Sequence, residues 1–281
     1  MDTIPAVTLN DGAAIPQLGF GVYKVDPDRT AAAVREALLV GYRHIDTAQM
    51  YGNESGVGRG IHEAGLDRNE VYVTSKLDTG FHRPDDARRA FDATLRALGS
   101  DYVDLFLIHW PLPTRYDGDL ISTWRVLEEF AADGRARSIG VSNFQPAHLD
   151  QLVSGSGTVP AVNQIEAHPY FPNDAVRGYG QRHGIVTEAW RPLVQGAVLN
   201  EPAIARVARV HRRTPAQVVL RWHIQRGDVV FPKSVSSARM RENFALFDFS
   251  LNDQDMAAIS ALDRGGAGRN GPDPDTYDHV G

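Results

Sequence analysis

Residues 41–54 read Gly-Tyr-Arg-His-Ile-Asp-Thr-Ala-Gln-Met-Tyr-Gly-Asn-Glu. A short apolar run centred on Ile45 passes here into polar sequence, as happens where a strand ends and leads into a loop. Asp46 and Tyr51 lie at this junction, five positions apart. A carboxylate only accepts hydrogen bonds, whereas a phenol can also donate one. The pair therefore indicates a site that handles protons rather than a part of the core.

Short β-rich runs of this kind recur along the chain, and helical patterns separate them. The eight predicted strands are 20–25, 44–48, 71–76, 103–109, 138–141, 161–165, 186–190 and 229–231. Alternation of strands with helices is typical of repeated βαβ units and a parallel sheet. Eight strands, with a helix after nearly every one, predict an α/β protein with a (β/α)8 TIM barrel. A doubly wound open sheet is the second choice, because it would use fewer strands.

The helices between these strands carry start and stop signals. Asp26 and Pro27 provide a cap and a first-turn proline for a helix that continues at helical spacing to Gly41. Residues 214–217, Thr-Pro-Ala-Gln, form a capping box at the start of a late helix, and another helix is predicted to begin at Asn252.

The two ends of the chain differ from the repeating pattern. Residues 7–15 predict a small β-hairpin around Asn-Asp-Gly at 10–12. Residues 265–281 are rich in Gly, Pro and Asp without periodicity, which predicts an irregular C-terminal tail over the surface that could line a site. No linker divides the chain, so residues 1–281 are predicted to form one barrel domain.

Composition narrows the class of protein. A length of 281 residues suits a barrel, which often needs about 250. The absence of cysteine excludes disulfides, a thiolate nucleophile and Cys-ligated zinc, and no metal site is predicted. A net charge of −6 argues against nucleic acid as a partner. The N-terminus lacks a basic, apolar leader and no run is long enough to span a membrane, so a soluble cytoplasmic protein without a membrane partner is expected.

Reactive groups of such a barrel gather where strands end and loops begin, at its C-terminal face. Polar or aromatic residues occupy most of the predicted strand ends. In chain order they are Asp46 with Tyr51, Lys76, His109, Ser142 with Asn143, Gln164, Trp190, and Lys233 with Ser234. These side chains are predicted to ring one rim of the barrel.

Four of these residues suit proton transfer. A phenol with a pKa near about 10 is a poor acid at neutral pH, but a neighbouring cation such as Lys76 would lower the pKa of Tyr51. Asp46 would keep Lys76 charged and oriented, and His109 would hold a carbonyl oxygen by a hydrogen bond. The set fits a proton donor to a carbonyl group that receives hydride.

Each residue also has a structural interpretation. Asp46 and Lys76 could be an ion pair between neighbouring strands, His109 a hydrogen-bonded core histidine, and Tyr51 a packing ring. A packing role does not require these four residues to lie at successive strand ends. Their arrangement therefore favours a proton-transfer site over four separate structural roles.

The glycine-rich stretches do not indicate a Rossmann module. Residues 19–21 and 56–60 both fail the Gly-x-Gly-x-x-Gly pattern between a strand and a helix. Lys233, Ser234 and Arg239 instead place two cations and a hydroxyl near a helix start after the last strand, as in barrel phosphate sites. A solvated basic face is the alternative.

Several long motifs resemble the aldo-keto reductase superfamily over residues 8–263. They are 41–48 (Gly-Tyr-Arg-His-Ile-Asp-Thr-Ala) with 51–54 (Tyr-Gly-Asn-Glu), 138–144 (Ser-Ile-Gly-Val-Ser-Asn-Phe), 163–166 (Asn-Gln-Ile-Glu) and 232–234 (Pro-Lys-Ser). The resemblance implies a catalytic tetrad of Tyr51, Asp46, Lys76 and His109, with Tyr51 as the general acid.

The resemblance also implies NADPH as the cofactor. Ser142, Asn143 and Gln164 would bind the nicotinamide carboxamide, and Trp190 would stack on the ring. The other implied cofactor contacts are Val22, Leu193, Gln195, Gly196, Phe231, Lys233, Ser234, Val235, Arg239, Glu242 and Asn243. Lys233 and Arg239 would favour NADPH over NADH by binding its 2′-phosphate.

Residues 10–12, 188–190 and 221–223 are similar to bacterial 2,5-diketo-D-gluconate reductases. Tyr23, Tyr51, His109 and Trp110 would line the substrate pocket, and the tail would close it. Asp78 and Arg191 depart from the pattern of relatives, at the pocket rim and beside the cofactor respectively. A monomer is implied by the resemblance alone.

The predicted function is NADPH-dependent reduction of aldehydes and ketones to alcohols. Sugar ketones such as 2,5-diketo-D-gluconate, or small dicarbonyls, are the expected substrates. Two alternatives remain: a regulatory barrel subunit that senses NADPH, and a barrel aldolase in which Lys76 forms a Schiff base.

Overall fold

A short hairpin precedes the main sheet. The computed structural model describes residues 4–280 of the chain. Strands β1 (Ala6–Thr8) and β2 (Ala14–Pro16) pair antiparallel, with Val7 opposite Ile15. The turn between them uses Gly12 at a φ of 88°, a conformation that favours glycine. The predicted hairpin is confirmed.

Eight parallel strands form the main sheet, in chain order. They are β3 (Phe20–Gly21), β4 (His44–Asp46), β5 (Tyr72–Leu77), β6 (Val103–Ile108), β7 (Ala136–Ser142), β8 (Val162–Glu166), β9 (Val186–Trp190) and β10 (Val229–Val230). The helices are α1 (Pro27–Val40), α2 (Glu54–Glu63), α3 (Pro84–Leu98), α4 (Leu120–Ala132), α5 (Pro146–Gly155), α6 (Asp174–Arg182), α7 (Pro202–His211), α8 (Pro215–Gln225), α9 (Ser237–Phe244) and α10 (Asp253–Ser260).

The first and last strands of the sheet meet and close it. Leu18 forms a parallel bridge with Val230, the Gly19 amide donates to the Val230 carbonyl at 2.7 Å, and the Val230 amide donates to the Gln17 carbonyl at 3.0 Å. This closure confirms the (β/α)8 barrel and excludes an open doubly wound sheet, which would keep two free edges.

The helix signals read from the sequence are also confirmed. Asp26 caps α1 by accepting from the Asp28 amide, and Gly41 ends that helix at a φ of 126°. Thr214 accepts from the Gln217 amide at the start of α8. Asn252 caps α10 in the same way. Local hydrogen-bonding chemistry thus decides where these helices begin and end.

Two strands are clearly shorter than predicted. The strand predicted over 44–48 ends at Asp46, and the first barrel strand differs more. The prediction placed a strand over 20–25, but only Phe20–Gly21 pair with β4. The Val22 amide still donates to the Asp46 carbonyl, and then the chain turns, with the Val25 amide donating to Val22 and Lys24 at a φ of 58°. Val22 and Val25 are buried although they lie outside the strand, so their apolar character reflects burial rather than strand pairing.

The barrel interior changes from apolar to polar along its axis. Hairpin residues Leu9 and Ile15 pack with Leu105, Leu107 and Val229 inside the N-terminal half. Buried polar side chains fill the other half, near the carboxyl ends of the strands. Apolar side chains thus fill the N-terminal end of the barrel, and polar side chains that can take part in a reaction lie at the C-terminal end.

The C-terminal tail, residues 261–280, follows α10 with one 3-10 turn at Gly265–Gly268 and is otherwise irregular. It crosses the carboxyl ends of the strands, where Tyr277 packs on Trp110 and the Gly271 amide reaches Glu166. The irregular tail is confirmed, and it lines the site. Across residues 4–280 no helix is both long and apolar enough to cross a bilayer.

Candidate active site

A buried ion pair lies at the carboxyl ends of β4 and β5. Lys76 is fully buried, and its ammonium donates to both carboxylate oxygens of Asp46 at 2.9 Å and to the Thr47 carbonyl at 2.8 Å. The Gln164 amide, from β8 across the barrel, donates to Asp46 Oδ2 at 2.8 Å. Burial by itself lowers the pKa of Lys76, but Asp46 and the other surrounding acids raise it more, so the net shift is upward. Lys76 is therefore held as a cation.

Tyr51 is brought to this cation by a short turn. A 3-10 turn at Gln49–Tyr51 follows β4, and Gly52 ends it at a φ of 65°. The Lys76 ammonium lies 3.4 Å from the Tyr51 hydroxyl. The side chains predicted to act together therefore meet at one point.

The prediction that Lys76 lowers the pKa of Tyr51 below its ordinary value is wrong in its net result. Burial raises the pKa of Tyr51 to about 12, Lys76 lowers it only in part, and Asp46 raises it again. Desolvation of the phenolate outweighs one neighbouring cation. Tyr51 consequently keeps its proton throughout the neutral range and is placed to donate it.

His109 stands at the end of β6 beside Tyr51. The two ring centroids are 5.9 Å apart at an interplanar angle of 72°. Burial, then the charges of Lys76 and His82, hold the pKa of His109 well below its usual range, so the imidazole is neutral. Its Nδ1 is buried with no hydrogen-bond partner among residues 4–280. That orphaned nitrogen argues against a fully hydrogen-bonded core histidine, and a neutral ring can still donate one hydrogen bond to a carbonyl oxygen.

The three residues expected to bind a carboxamide converge beside Trp190. Ser142 donates to the Gln164 carbonyl at 2.9 Å, and the Asn143 amide donates to the Ser142 hydroxyl at 3.0 Å and the His109 carbonyl at 2.9 Å. The Trp190 indole donates to Asn143 Oδ1 at 2.8 Å. An indole plane flanked by two amides and a hydroxyl matches a flat ring that carries an amide group.

Tyr23 and Trp110, which were predicted to line the substrate pocket, each contact another aromatic ring. The rings of Tyr23 and Tyr51 lie 5.0 Å apart, and Tyr277 of the tail packs on Trp110 at 4.1 Å. Asp78 lies at the rim, where its carboxylate accepts from the Gly80 amide. Burial and then the charge of Asp78 raise the pKa of Tyr277, consistent with the two residues facing each other.

The segment expected to bind the 2′-phosphate leaves β10 next to β3. Lys233 and Arg239 are exposed and pair with no carboxylate among residues 4–280, whereas the neighbouring Arg241 pairs with Glu36 at 3.1 Å. Phe231, Ser234 and Asn243 are buried, and Val235 is exposed. Glu242 accepts from the Thr214 hydroxyl at 2.7 Å, so in this structure it joins α9 to the start of α8.

The loop after Trp190 is sharply turned. Val194, Gln195 and Gly196 follow one another at φ values of 47°, 54° and 96°, and the Gly196 amide donates to the Leu193 carbonyl at 2.7 Å. Gln195 is exposed and Val22, on the other side of the closure, is fully buried. The loop therefore presents Gln195 to solvent, whereas Gly196 is half-buried.

Glu166 anchors the tail over Trp190, a role that sequence reasoning did not find. Its carboxylate accepts from the amides of Asn270 at 2.7 Å and Gly271 at 2.8 Å and from His168 at 3.0 Å. Burial alone would raise the pKa of Glu166, but His168 and these amides outweigh it and the net shift is downward. Arg191 adds a second tie to Asn270, at 2.7 Å.

The anchored tail predicts an effect of a single methyl group. A Cβ on Gly271 would lie 2.4 Å from the Trp190 ring and 2.9 Å from the Glu166 carboxylate, so Gly271→Ala should displace the tail at a cost of about 1–3 kcal/mol. We expect faster amide hydrogen exchange over residues 268–280. Gly266→Ala is the control, because a Cβ there meets nothing within 4 Å. Equal exchange in both variants and the wild type would contradict the anchor.

The sequence analysis also did not predict a polar layer that lies beneath the ion pair of Asp46 and Lys76. His44 and Thr74 hydrogen-bond at 3.0 Å, and Glu188 accepts from Gln164 at 2.9 Å. All four are buried. Each of His44, Thr74 and Glu188 stands two residues before a predicted site residue on its strand, so the two-residue strand period could have placed them facing inward.

Comparison with known proteins agrees with this arrangement. The profile of the Aldo/keto reductase family matches residues 17–264. The chain belongs to the aldo-keto reductase family. An aldo-keto reductase of Mycobacterium sp. (strain JLS) is 49% identical over 277 residues, covering 99% of each chain.

Two further relatives are informative. The methylglyoxal reductase DkgA of Yersinia pestis is 44% identical and covers 97% of each chain. A crystal structure of a Gox0644 mutant in complex with NADPH has a TM-score of 0.94 at 44% identity, over 98% of this chain and 99% of that one. The sequence resemblance to this family of oxidoreductases is confirmed.

Proposed function

We propose that this aldo-keto reductase catalyses the NADPH-dependent reduction of aldehydes and ketones to alcohols. The observation that carries the proposal is the Tyr51 hydroxyl, which keeps its proton and lies 3.4 Å from the buried Lys76 ammonium beside a neutral His109. Tyr51 is therefore placed as a proton donor. It suits a carbonyl oxygen that gains electrons, rather than a substrate that must lose a proton first.

The side chains fit NADPH. The amides of Asn143 and Gln164 beside the Trp190 indole suit the nicotinamide carboxamide. Lys233 and Arg239, exposed cations with no carboxylate partner among residues 4–280, suit the 2′-phosphate. The relative Gox0644 is described in complex with NADPH, which supports the same cofactor here. When bound, NADPH supplies a hydride to the carbonyl carbon.

The residues of the chain then have distinct tasks. His109 orients the carbonyl oxygen by a hydrogen bond, and Tyr51 transfers its proton to that oxygen as the C=O bond becomes C–OH. Lys76 stabilises the resulting phenolate until a proton from solvent restores it. Asp46 keeps Lys76 charged and in place without touching the substrate.

We propose small dicarbonyls or 2,5-diketo-D-gluconate-like sugar ketones as substrates. The relative DkgA is named a methylglyoxal reductase, which supports the first group. The test follows NADPH absorbance over sugars including 2,5-diketo-D-gluconate, α-dicarbonyls, simple aldehydes and steroids. Loss of absorbance only with a carbonyl compound present would support an enzyme. NADPH binding without any turnover would favour the regulatory subunit instead.

The aldolase alternative requires Lys76 to be a neutral amine. The upward shift of its pKa and its three hydrogen-bonded acceptor oxygens oppose this. Borohydride treatment with substrate should therefore leave no covalent adduct on Lys76, as mass spectrometry would measure. A trapped adduct would overturn the assignment of Lys76 as a fixed cation.

Lys233→Met should weaken NADPH binding and spare NADH binding. A charge-assisted contact with the 2′-phosphate is worth about 1.5–3 kcal/mol, so the KM for NADPH should rise roughly 10- to 100-fold. Arg241→Met is the control, since that exposed cation on α9 already pairs with Glu36. Equal changes in the KM values for NADPH and NADH would show that Lys233 does not bind the phosphate.

A further inference from the structure

Glu188 is a carboxyl group inside the barrel that the proposed reaction does not use. It lies on β9, two residues before Trp190, and is fully buried. Its Oε2 accepts from the Gln164 amide at 2.9 Å. Its Oε1 is buried with no hydrogen-bond partner among residues 4–280. Burying a carboxyl group costs free energy, and the oxygen without a hydrogen-bond partner adds to this cost.

The contacts of Gln164 show what Glu188 controls. The side-chain amide nitrogen of Gln164 donates to Asp46 Oδ2 at 2.8 Å and to Glu188 Oε2 at 2.9 Å, so both of its hydrogens are used. Turning the amide over would bring its oxygen against the Asp46 carboxylate, two acceptors with no proton between them. The two carboxyl groups thus fix the orientation of the amide and leave its oxygen as the group that Gln164 can offer to a ligand.

We propose that Glu188 is a positioning residue for cofactor binding, which holds the Gln164 amide so that its oxygen accepts from the nicotinamide carboxamide. The inference rests on the proposed function, because it takes the cofactor to be NADPH and Gln164 to contact it. It adds a residue outside the tetrad, on β9.

The surroundings of Glu188 also make it sensitive to pH. The titratable groups that face it are His44 and Asp46 from β4 and Tyr72 and Lys76 from β5. His44 Nε2 is 3.8 Å from Glu188, but burial lowers the pKa of His44 to about 3, so this ring is neutral and does not balance a second carboxylate. Burial, then the Asp46 charge, raise the pKa of Glu188 to about 8, and Gln164 and Lys76 only partly oppose them.

Glu188 is therefore protonated at neutral pH and ionises at mildly alkaline pH. The ionised form places a second carboxylate next to Gln164 and Lys76. The Glu188 carboxylate then competes with Asp46 for Gln164 and Lys76. This competition disturbs the orientation of the Gln164 amide, which the neutral form of Glu188 maintains. The affinity for NADPH should fall as the pH rises through about 8.

Two variants separate positioning from a structural role. Glu188→Gln keeps an acceptor oxygen for Gln164 but cannot ionise, so the Kd for NADPH at pH 7 should stay near that of the wild type and its alkaline weakening should disappear. Glu188→Leu removes the acceptor and should raise the Kd about 10-fold at pH 7. NADPH titrations that follow quenching of tryptophan fluorescence from pH 6 to pH 9.5 measure both effects.

Glu54→Gln is the matched control. Glu54 is another largely buried acid with a raised pKa, but it bonds Ser75 and Thr94 rather than Gln164. This variant should retain the alkaline fall in NADPH affinity. If Glu188→Gln also retains that fall, the inference is wrong. A wild-type protein that binds no NADPH at any pH would instead overturn the proposed function, so the two failures are distinguishable.

Thermal unfolding gives a readout that needs no cofactor. The folded-state pKa of Glu188, about 8, lies above the unfolded value of about 4.3, so the folded state binds the extra proton between these pH values. Its contribution to stability is complete below pH 4 and is lost as pH rises through 8. Glu188→Gln should gain Tm relative to the wild type between pH 5 and pH 8 and gain no more above it. A pH-independent difference would show that Glu188 does not titrate there.

Discussion

Replacing Tyr51 by phenylalanine should lower the kcat for carbonyl reduction by about 10²- to 10⁴-fold, the usual contribution of a general acid. The phenol lies 3.4 Å from the buried Lys76 cation, and its hydroxyl is the only group that the substitution removes. NADPH binding should change little, because Tyr51 is not among the proposed cofactor contacts.

Steady-state rates and NADPH titrations on the same preparation test this. Tyr23→Phe is the matched control, because it removes a phenol hydroxyl from a ring 5.0 Å from Tyr51 without removing the one beside Lys76. It should keep turnover within a few-fold of the wild type. Turnover near the wild-type rate in Tyr51→Phe would contradict the assignment of Tyr51 as the general acid.

The pKa of Tyr51 bears on the pH profile of the reaction. Burial raises it to about 12, so the phenol in the free protein remains protonated from pH 6 to pH 9. An alkaline fall in activity near pH 8 therefore belongs to Glu188 rather than to Tyr51.

Lys76→Met should destabilise the protein by about 3–5 kcal/mol and also abolish efficient turnover. The substitution leaves the Asp46 carboxylate buried, 1% exposed, without its cation, and such a broken pair carries a large desolvation penalty. Turnover should fall because the Tyr51 phenolate loses the charge that stabilises it.

A double-mutant cycle separates the two effects. Adding Asp46→Asn to Lys76→Met removes the uncompensated charge and should restore much of the free energy of unfolding, while turnover stays low. Urea denaturation measures the first quantity and NADPH-coupled rates the second. The exposed pair of Arg88 and Glu129 is the comparison, where Arg88→Met should cost within about 1 kcal/mol. A double variant with restored turnover would show that Lys76 and Asp46 serve only structure.

Much of the fold could be predicted because its signals are local. Alternating apolar runs, the Asp26 cap and the residues 214–217 capping box depend on neighbours within one turn or strand. The barrel rule then placed Asp46, Lys76 and His109 at one rim without knowledge of any contact. Repeated local units therefore made the positions of the strand ends predictable.

The parts that could not be predicted depend on residues far apart in the chain. The Gln164 bond to Asp46 spans 118 residues and crosses the barrel, and the tail amides reach Glu166 over more than 100 residues. No local period encodes which inward side chain meets which. The net pKa of Tyr51 likewise depends on how completely the folded barrel excludes water from the phenol, a quantity that spacing does not contain.

For the stretch 41–54, the order of residues alone predicted a strand over 44–48 that leads into a loop with Tyr51. The structure ends the strand at Asp46 and makes the loop a 3-10 turn. Only the tertiary structure decided that Lys76 is fully buried against Asp46, that Tyr51 is a phenol with a raised pKa, and that Glu188 lies beneath them with its proton retained. The physical reason is that strand and turn formation are governed by short-range geometry. The protonation state of a side chain is governed by the water and charges that the closed barrel leaves around it.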